Sequence, residues 1–129
     1  MNILSSYHSE VKTILESLTV DGVAVPCFFT FYEGDLPTYV TWNQLFNRSQ
    51  LNGDNQVLGW WEYFEFGVFS KSDYWPVVDA LADLLSVNGW LYCPLESGVD
   101  NYDYETKFFF KTLVFKKPFN CVKGVIENG

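Results

Sequence analysis

The chain has 129 residues and a mass of 14.9 kDa, enough for one domain with a real core and too little for two. Its hydrophobic fraction of 48% and aromatic fraction of 19% exclude a disordered chain, which would lack the apolar surface needed to offset its ordering entropy. A formal net charge of −8 argues against nucleic-acid binding, which calls for a basic patch, and favours a cationic partner or a repulsive role.

The aromatic set of 12 Phe, 8 Tyr and 5 Trp is more than a core of this size hides, so part of it is expected at protein interfaces. Only Lys107, Lys111, Lys116 and Lys117 cluster in sequence, at the last predicted strand. Cys27, Cys93 and Cys121 lack Cys-x-x-Cys spacing, which speaks against zinc or a disulfide framework and for a reducing compartment. No apolar run approaches a membrane span and the N-terminus lacks a signal-peptide layout, so a soluble intracellular protein without membrane contact is expected. The glycosylation-type triplet Asn47-Arg48-Ser49 is common by chance.

At the start, Ile3, Leu4, Tyr7, Val11, Ile14, Leu15 and Leu18 recur at spacings of three and four and predict an amphipathic helix. His8 lies beside that stripe and reads as a partly exposed structural histidine. A strand is predicted over 23–32, with Val23, Val25, Cys27, Phe29 and Phe31 on one side and Pro26 marking an edge or bulge. The turn Glu33-Gly34-Asp35-Leu36-Pro37 leads into a second strand over 38–46. Residues 47–58 are polar and without apolar periodicity. They read either as a loose hairpin tip or as a partner-binding loop carrying Asn47, Arg48, Gln50, Asn52, Asp54 and Asn55.

The stretch 59–69 is aromatic on both faces, as expected of a central strand or one exposed at an interface. Ser72 or Asp73 then caps a helix with Pro76 in its first turn. Val77, Val78, Leu81, Leu84 and Leu85 form its buried side, Asp79 and Asp83 point outward, and Asn88-Gly89 stops it. A short strand over 90–93 and an acidic connection over 96–105 precede the last strand, 108–115. The remainder, 116–129, reads as a C-terminal arm of the single 1–129 domain. The element order is thus helix-strand-strand-strand-helix-strand-strand, an α+β pattern.

Catalytic equipment is sparse. A nucleophile–histidine arrangement would have to use His8, and no phosphate-binding glycine loop occurs. Glu62 and Glu65 have opposite strand parity, which separates them as an acid/base pair. The acids Glu96, Asp100, Asp103 and Glu105 lack calcium-loop spacing. No enzyme activity, cofactor or metal is expected.

Three stretches carry a resemblance: Phe31-Tyr32-Glu33-Gly34-Asp35-Leu36-Pro37-Thr38-Tyr39-Val40-Thr41, Val68-Phe69-Ser70-Lys71-Ser72-Asp73-Tyr74, and Asp100-Asn101-Tyr102-Asp103-Tyr104-Glu105-Thr106 leading into Phe110-Lys111-Thr112-Leu113-Val114-Phe115. Together with a helix of the Val78-x-x-Leu81-x-x-Leu84-Leu85 type, they resemble the tail completion, or tail terminator (tail-to-head joining), proteins of tailed bacteriophages. Lys107 departs from the pattern, since relatives often have a turn glycine there. The resemblance implies an antiparallel sheet with helices on one face and protomers in a homo-hexameric ring. Such a ring caps the tail tube, contacts the major tail tube protein and meets the head connector or stopper protein. DNA passes through its lumen without specific binding, and the protein is found in the virion neck and, during assembly, in the host cytoplasm.

On that reading Asp79, Asp83, Glu96, Asp100, Asp103 and Glu105 are candidates for a negatively charged lumen wall that repels DNA phosphates. The rival from another class is an acidic DNA-mimic inhibitor occupying a basic protein cleft. It explains the charge equally well and the aromatic content less well.

Overall fold

The structure, a computed structural model, describes residues 7–53 and 56–120; for 46–53, 56–58 and 120 that description is of the backbone. Among the described residues two helices and eight strands follow in the order α1 (His8–Leu15), β1 (Thr19–Val20), β2 (Val23–Ala24), β3 (Cys27–Phe29), β4 (Thr38–Gly53), β5 (Gln56–Ser70), α2 (Trp75–Val87), β6 (Leu91–Tyr92), β7 (Asn101–Asp103) and β8 (Phe108–Asn120). The class is α+β, but the detailed order differs from the expected one. A six-stranded sheet runs β3-β4-β5-β8-β6, with β7 also pairing β8, and β1-β2 form a separate ribbon.

The predicted strand over 23–32 is divided. Asp21 and Gly22 both have positive φ, 53° and 78°, which suits the tight turn joining β1 to β2. Past Pro26 the chain joins the main sheet as β3, parallel to β4, with Cys27 opposite Val40 and Phe29 opposite Trp42. The sheet is therefore mixed and not purely antiparallel. Residues 30–37 return across its surface, where Tyr32 stacks on Phe28 at 4.5 Å and its hydroxyl accepts the Leu36 N–H at 3.1 Å. These contacts hold a short parallel connection that sequence periodicity does not announce.

Of residues 47–58, those described, 47–53 and 56–58, are the far end of a β4–β5 hairpin and not an unpaired loop. Their backbone continues the β4–β5 ladder from Asn47 opposite Glu62 to Gly53 opposite Gln56, with register shifts between Gln44 and Phe46 and again near Leu51. Asn47, Arg48, Gln50 and Asn52 thus lie on a strand, while Asp54 and Asn55 fall outside the described residues. β8 likewise runs past Phe115 to Asn120, pairing with β5 as far as Gly59, so 116–120 belongs to the sheet. Residues 121–129, Cys121 among them, and Ile3 and Leu4 lie outside the described residues.

Both helices pack on one face of the sheet. Val11, Ile14, Leu15 and Leu18 meet Val77, Val78, Leu81 and Leu85 over a floor of Val40, Trp42, Phe64, Phe66, Val68, Leu113 and Phe115. Burying a side chain of this size contributes roughly 1.5–3 kcal/mol, so this layer holds the fold together. The α2 start follows expectation in part: Asp73 Oδ1 accepts the Trp75 N–H at 3.0 Å, with Tyr74 at the cap position and Pro in the first turn. Gly89, φ 89°, ends it.

A polar clasp closes the layer. Glu10 Oε2 receives the Trp90 indole N–H at 3.2 Å and the Lys117 ammonium at 2.5 Å, and Lys117 also donates to the Asn88 carbonyl at 3.0 Å. It ties α1, the end of α2 and β8 together through one carboxylate.

Candidate interaction surface

The sheet face turned away from the helices carries an aromatic row that crosses four strands or their connections. Tyr32 lies 4.8 Å from Tyr39, Tyr39 stacks on Phe69 at 4.8 Å, and Phe69 stacks on Phe110 at 5.8 Å. Strand alternation places these rings on one side, because Tyr39 is opposite Phe69 and Phe69 opposite Phe110 in the ladder. Gly67 makes room for the row: a Cβ there would come within 2.9 Å of the Phe69 ring and 3.0 Å of Thr41 Oγ1. All four rings remain partly accessible to water. Further along this face Lys116 lies over the Trp61 ring at 4.5 Å, above a small second cluster of Tyr63, Cys93 and Val114.

The two sheet edges are both apolar and differ in shape. At the β3 edge Phe29 and Phe31 are exposed, beside a cavity of 410 Å³ between α1 and the sheet. His8, Lys12, Leu15, Glu16, Val25, Cys27, Phe29 and Trp42 line it, and the His8 ring sits 4.6 Å from Phe29 and 4.8 Å from Trp42. His8 is thus half-buried in an aromatic setting, in line with a structural reading. Burial pushes the Cys27 thiol up to about 12, so it behaves as a small protonated side chain.

At the opposite edge, formed by β6, β7 and the chain between them, Leu91, Tyr92, Leu95, Val99, Tyr104 and Phe109 are exposed. Leu95 is 93% accessible. The turn presenting it is nonetheless firm: Ser97 Oγ donates to the Cys93 carbonyl at 2.7 Å and accepts the Val114 N–H at 2.9 Å.

The candidate acids fall into two groups that the fold does not merge. Asp79 and Asp83 stand on the exposed side of α2, where Asp83 borders a shallow cleft with Ser17, Thr19 and Val87. Glu96, Asp100, Asp103 and Glu105 lie along the β6–β8 edge, but two of them are committed locally. Asp100 accepts the Tyr74 hydroxyl and pairs with Lys111 at 3.5 Å. The hydrogen bond first, then the ammonium, hold its carboxyl below the usual range. The same contact, after burial, raises the Tyr74 phenol. Asp103 is held low by the Glu105 N–H at 2.9 Å and by Thr106, and it anchors the turn into β8. Glu96 and Glu105 remain exposed, as do Asp79 and Asp83.

In that turn Lys107 adopts φ 66°, the left-handed conformation that glycine takes most readily. The clustered lysines form no common patch: Lys111 and Lys117 are held by acids and Lys116 by aromatic rings.

Beyond Trp42, β4 has ladder partners on its β5 side alone among the described residues. Asn47, Arg48, Gln50 and Asn52 therefore sit on an open strand edge. Among the described residues no three His, Cys, Asp or Glu side chains converge as metal ligands, and no helix is long and apolar enough to cross a membrane. No protein-family model matches the chain, and no curated protein matches it in sequence.

Sequence reading missed the two exposed edges. Strand alternation over 23–32 puts Phe29 and Phe31 on the same side as Val25, whereas Val25 is buried and both phenylalanines are exposed. The break at Pro26 was the available signal.

Proposed function

We propose that this protein is a structural virion component of a tailed bacteriophage, which forms a homo-hexameric ring on the tail tube and joins it to the head connector. The observation that supports this reading is the pair of unlike apolar patches on opposite edges of one sheet. Self-association through a two-fold axis uses the same patch on both copies and would leave the other patch bare. Head-to-tail contact uses both patches on every copy and closes into a ring when the rotation allows. Apolar patches rimmed by polar residues mark such contacts.

The open edge of β4 over 43–53 then serves as the contact for tail tube or connector, by strand addition rather than by folding of a loop. The exposed acids Asp79, Asp83 and Glu105 supply the negative charge that keeps DNA from adhering in the lumen, whereas Asp100 and Asp103 chiefly hold the fold. No catalytic step is assigned to the chain.

Removal of the gene from an infecting phage tests the reading. Negative-stain images of the lysate are expected to show filled heads and unjoined or misshapen tails, restored by supplying the protein. Normal joined particles from the deletion would overturn it. A normal neck with a defect only in host-enzyme resistance would point to an inhibitor instead.

A further inference from the structure

We infer that the Pro94-Leu95-Glu96 turn of one copy inserts into the cavity beside α1 of the next, with Leu95 as the knob and Lys12 pairing with Glu96. This inference rests on the ring reading and assigns its interface. Leu15, Val25 and Trp42, all at most 9% exposed, line the cavity together with the exposed Phe29, so its lining is largely apolar and open to a partner. Its 410 Å³ exceeds what one leucine fills, and it accommodates the turn that carries the leucine. On the opposite edge Leu95 is the most exposed of the large apolar side chains in that region, and the Ser97 hydrogen bonds hold its turn in place before contact. A preordered knob loses little conformational freedom on docking, which favours association.

Charge settles the orientation. Lys12 and Glu16 are exposed at the cavity rim, one turn apart on α1, and neither they nor Glu96 forms an ion pair among the described residues. Glu96, adjacent to the knob, is attracted to Lys12 and repelled by Glu16, so only one approach satisfies both. The occupant is a second copy, because the complementary knob and cavity reside at opposite ends of the same sheet and cannot meet within one chain.

The test places a benzophenone amino acid at position 95 of the full chain and irradiates a mixture of light and isotopically heavy protein at high concentration. Photolysis traps even a weak contact. Mixed-isotope adducts joining position 95 to peptides containing His8, Phe29 or Trp42 are expected. They should be lost in Lys12→Glu and regained when Lys12→Glu is combined with Glu96→Lys. Circular dichroism of each variant checks that the fold persists. Adducts confined to other sites, no intermolecular adduct, or no recovery in the double variant would overturn the knob assignment. Joined particles in the deletion experiment are a separate readout, so the ring reading can stand or fall independently.

Discussion

On the helix side of the sheet Phe64, Phe66 and Phe115 are sealed from water, whereas on the opposite side Tyr39, Phe69 and Phe110 form a row that stays partly accessible. Both sets arise from alternation along the same strands, so residue type does not separate them. The difference comes from what is laid on top: α1 and α2 cover one face, whereas among the described residues the segments 30–37 and 93–98 cover only parts of the other. High aromatic content therefore marks a sheet with two apolar faces, one fully covered within the chain and the other covered in part.

The comparison breaks most readily at Phe64, which is 0% exposed at the centre of the covered face. Phe64→Ala is expected to cost about 3–5 kcal/mol in chemical denaturation, because the surrounding layer cannot close over the cavity. Tyr39→Ala on the open face loses stacking with Phe69 and Tyr32 but little fully buried area, and about 1–2 kcal/mol is expected. Equal losses at the two sites would show that the open face is as much core as the covered one.

Alkaline pH sharpens the contrast. The Tyr7 phenol, which donates to the Pro118 carbonyl at 2.6 Å, is pushed up to about 12, first by burial and then by Glu10 and Glu62. An unfolded tyrosine titrates near ~10, so the contribution of Tyr7 is complete below that pH. It is lost as pH rises through about 12, because the unfolded chain releases the proton first. Tyr7→Phe is expected to cost about 1 kcal/mol at neutral pH and to flatten the decline above pH ~10. Denaturation midpoints measured across that range give the slope, and an unchanged slope would contradict the assignment.

The smallest effect is expected at the turn entering β8, away from both faces. Lys107→Gly relieves a left-handed residue and should stabilise the fold by up to about 1 kcal/mol. A loss of stability there would mean that the lysine side chain makes up for its strained backbone.

Legibility followed periodicity. The α2 face Val77, Val78, Leu81 and Leu85 and its stop at Asn88-Gly89 were readable because a single helix face and a left-handed glycine leave local marks. The aromatic strand read as either central or exposed at an interface, and β5 lies between β4 and β8 with one face partly open. The polar half of β4 was not, because Asn, Arg, Ser and Gln carry no alternation there and its strand form comes from pairing with β5. β7 escaped for a related reason: its three residues, Asn101–Asp103, are ordered by pairing with Phe108–Phe110.

Of the candidate acids, the sequence alone supplied identity and sign but not availability. Asp100 and Asp103 look like Glu96 and Glu105 in one dimension, and only Tyr74, Lys111 and the turn N–H groups distinguish them. Composition and local pattern by themselves determined an α+β chain rich in aromatic residues and strongly negative, because these depend on residue counts and short spacings. The parallel placement of β3, the extension of the β4–β5 hairpin and the two unlike apolar edges were decided by tertiary structure. Each depends on contacts between residues far apart in the chain, whose free energy no local window contains.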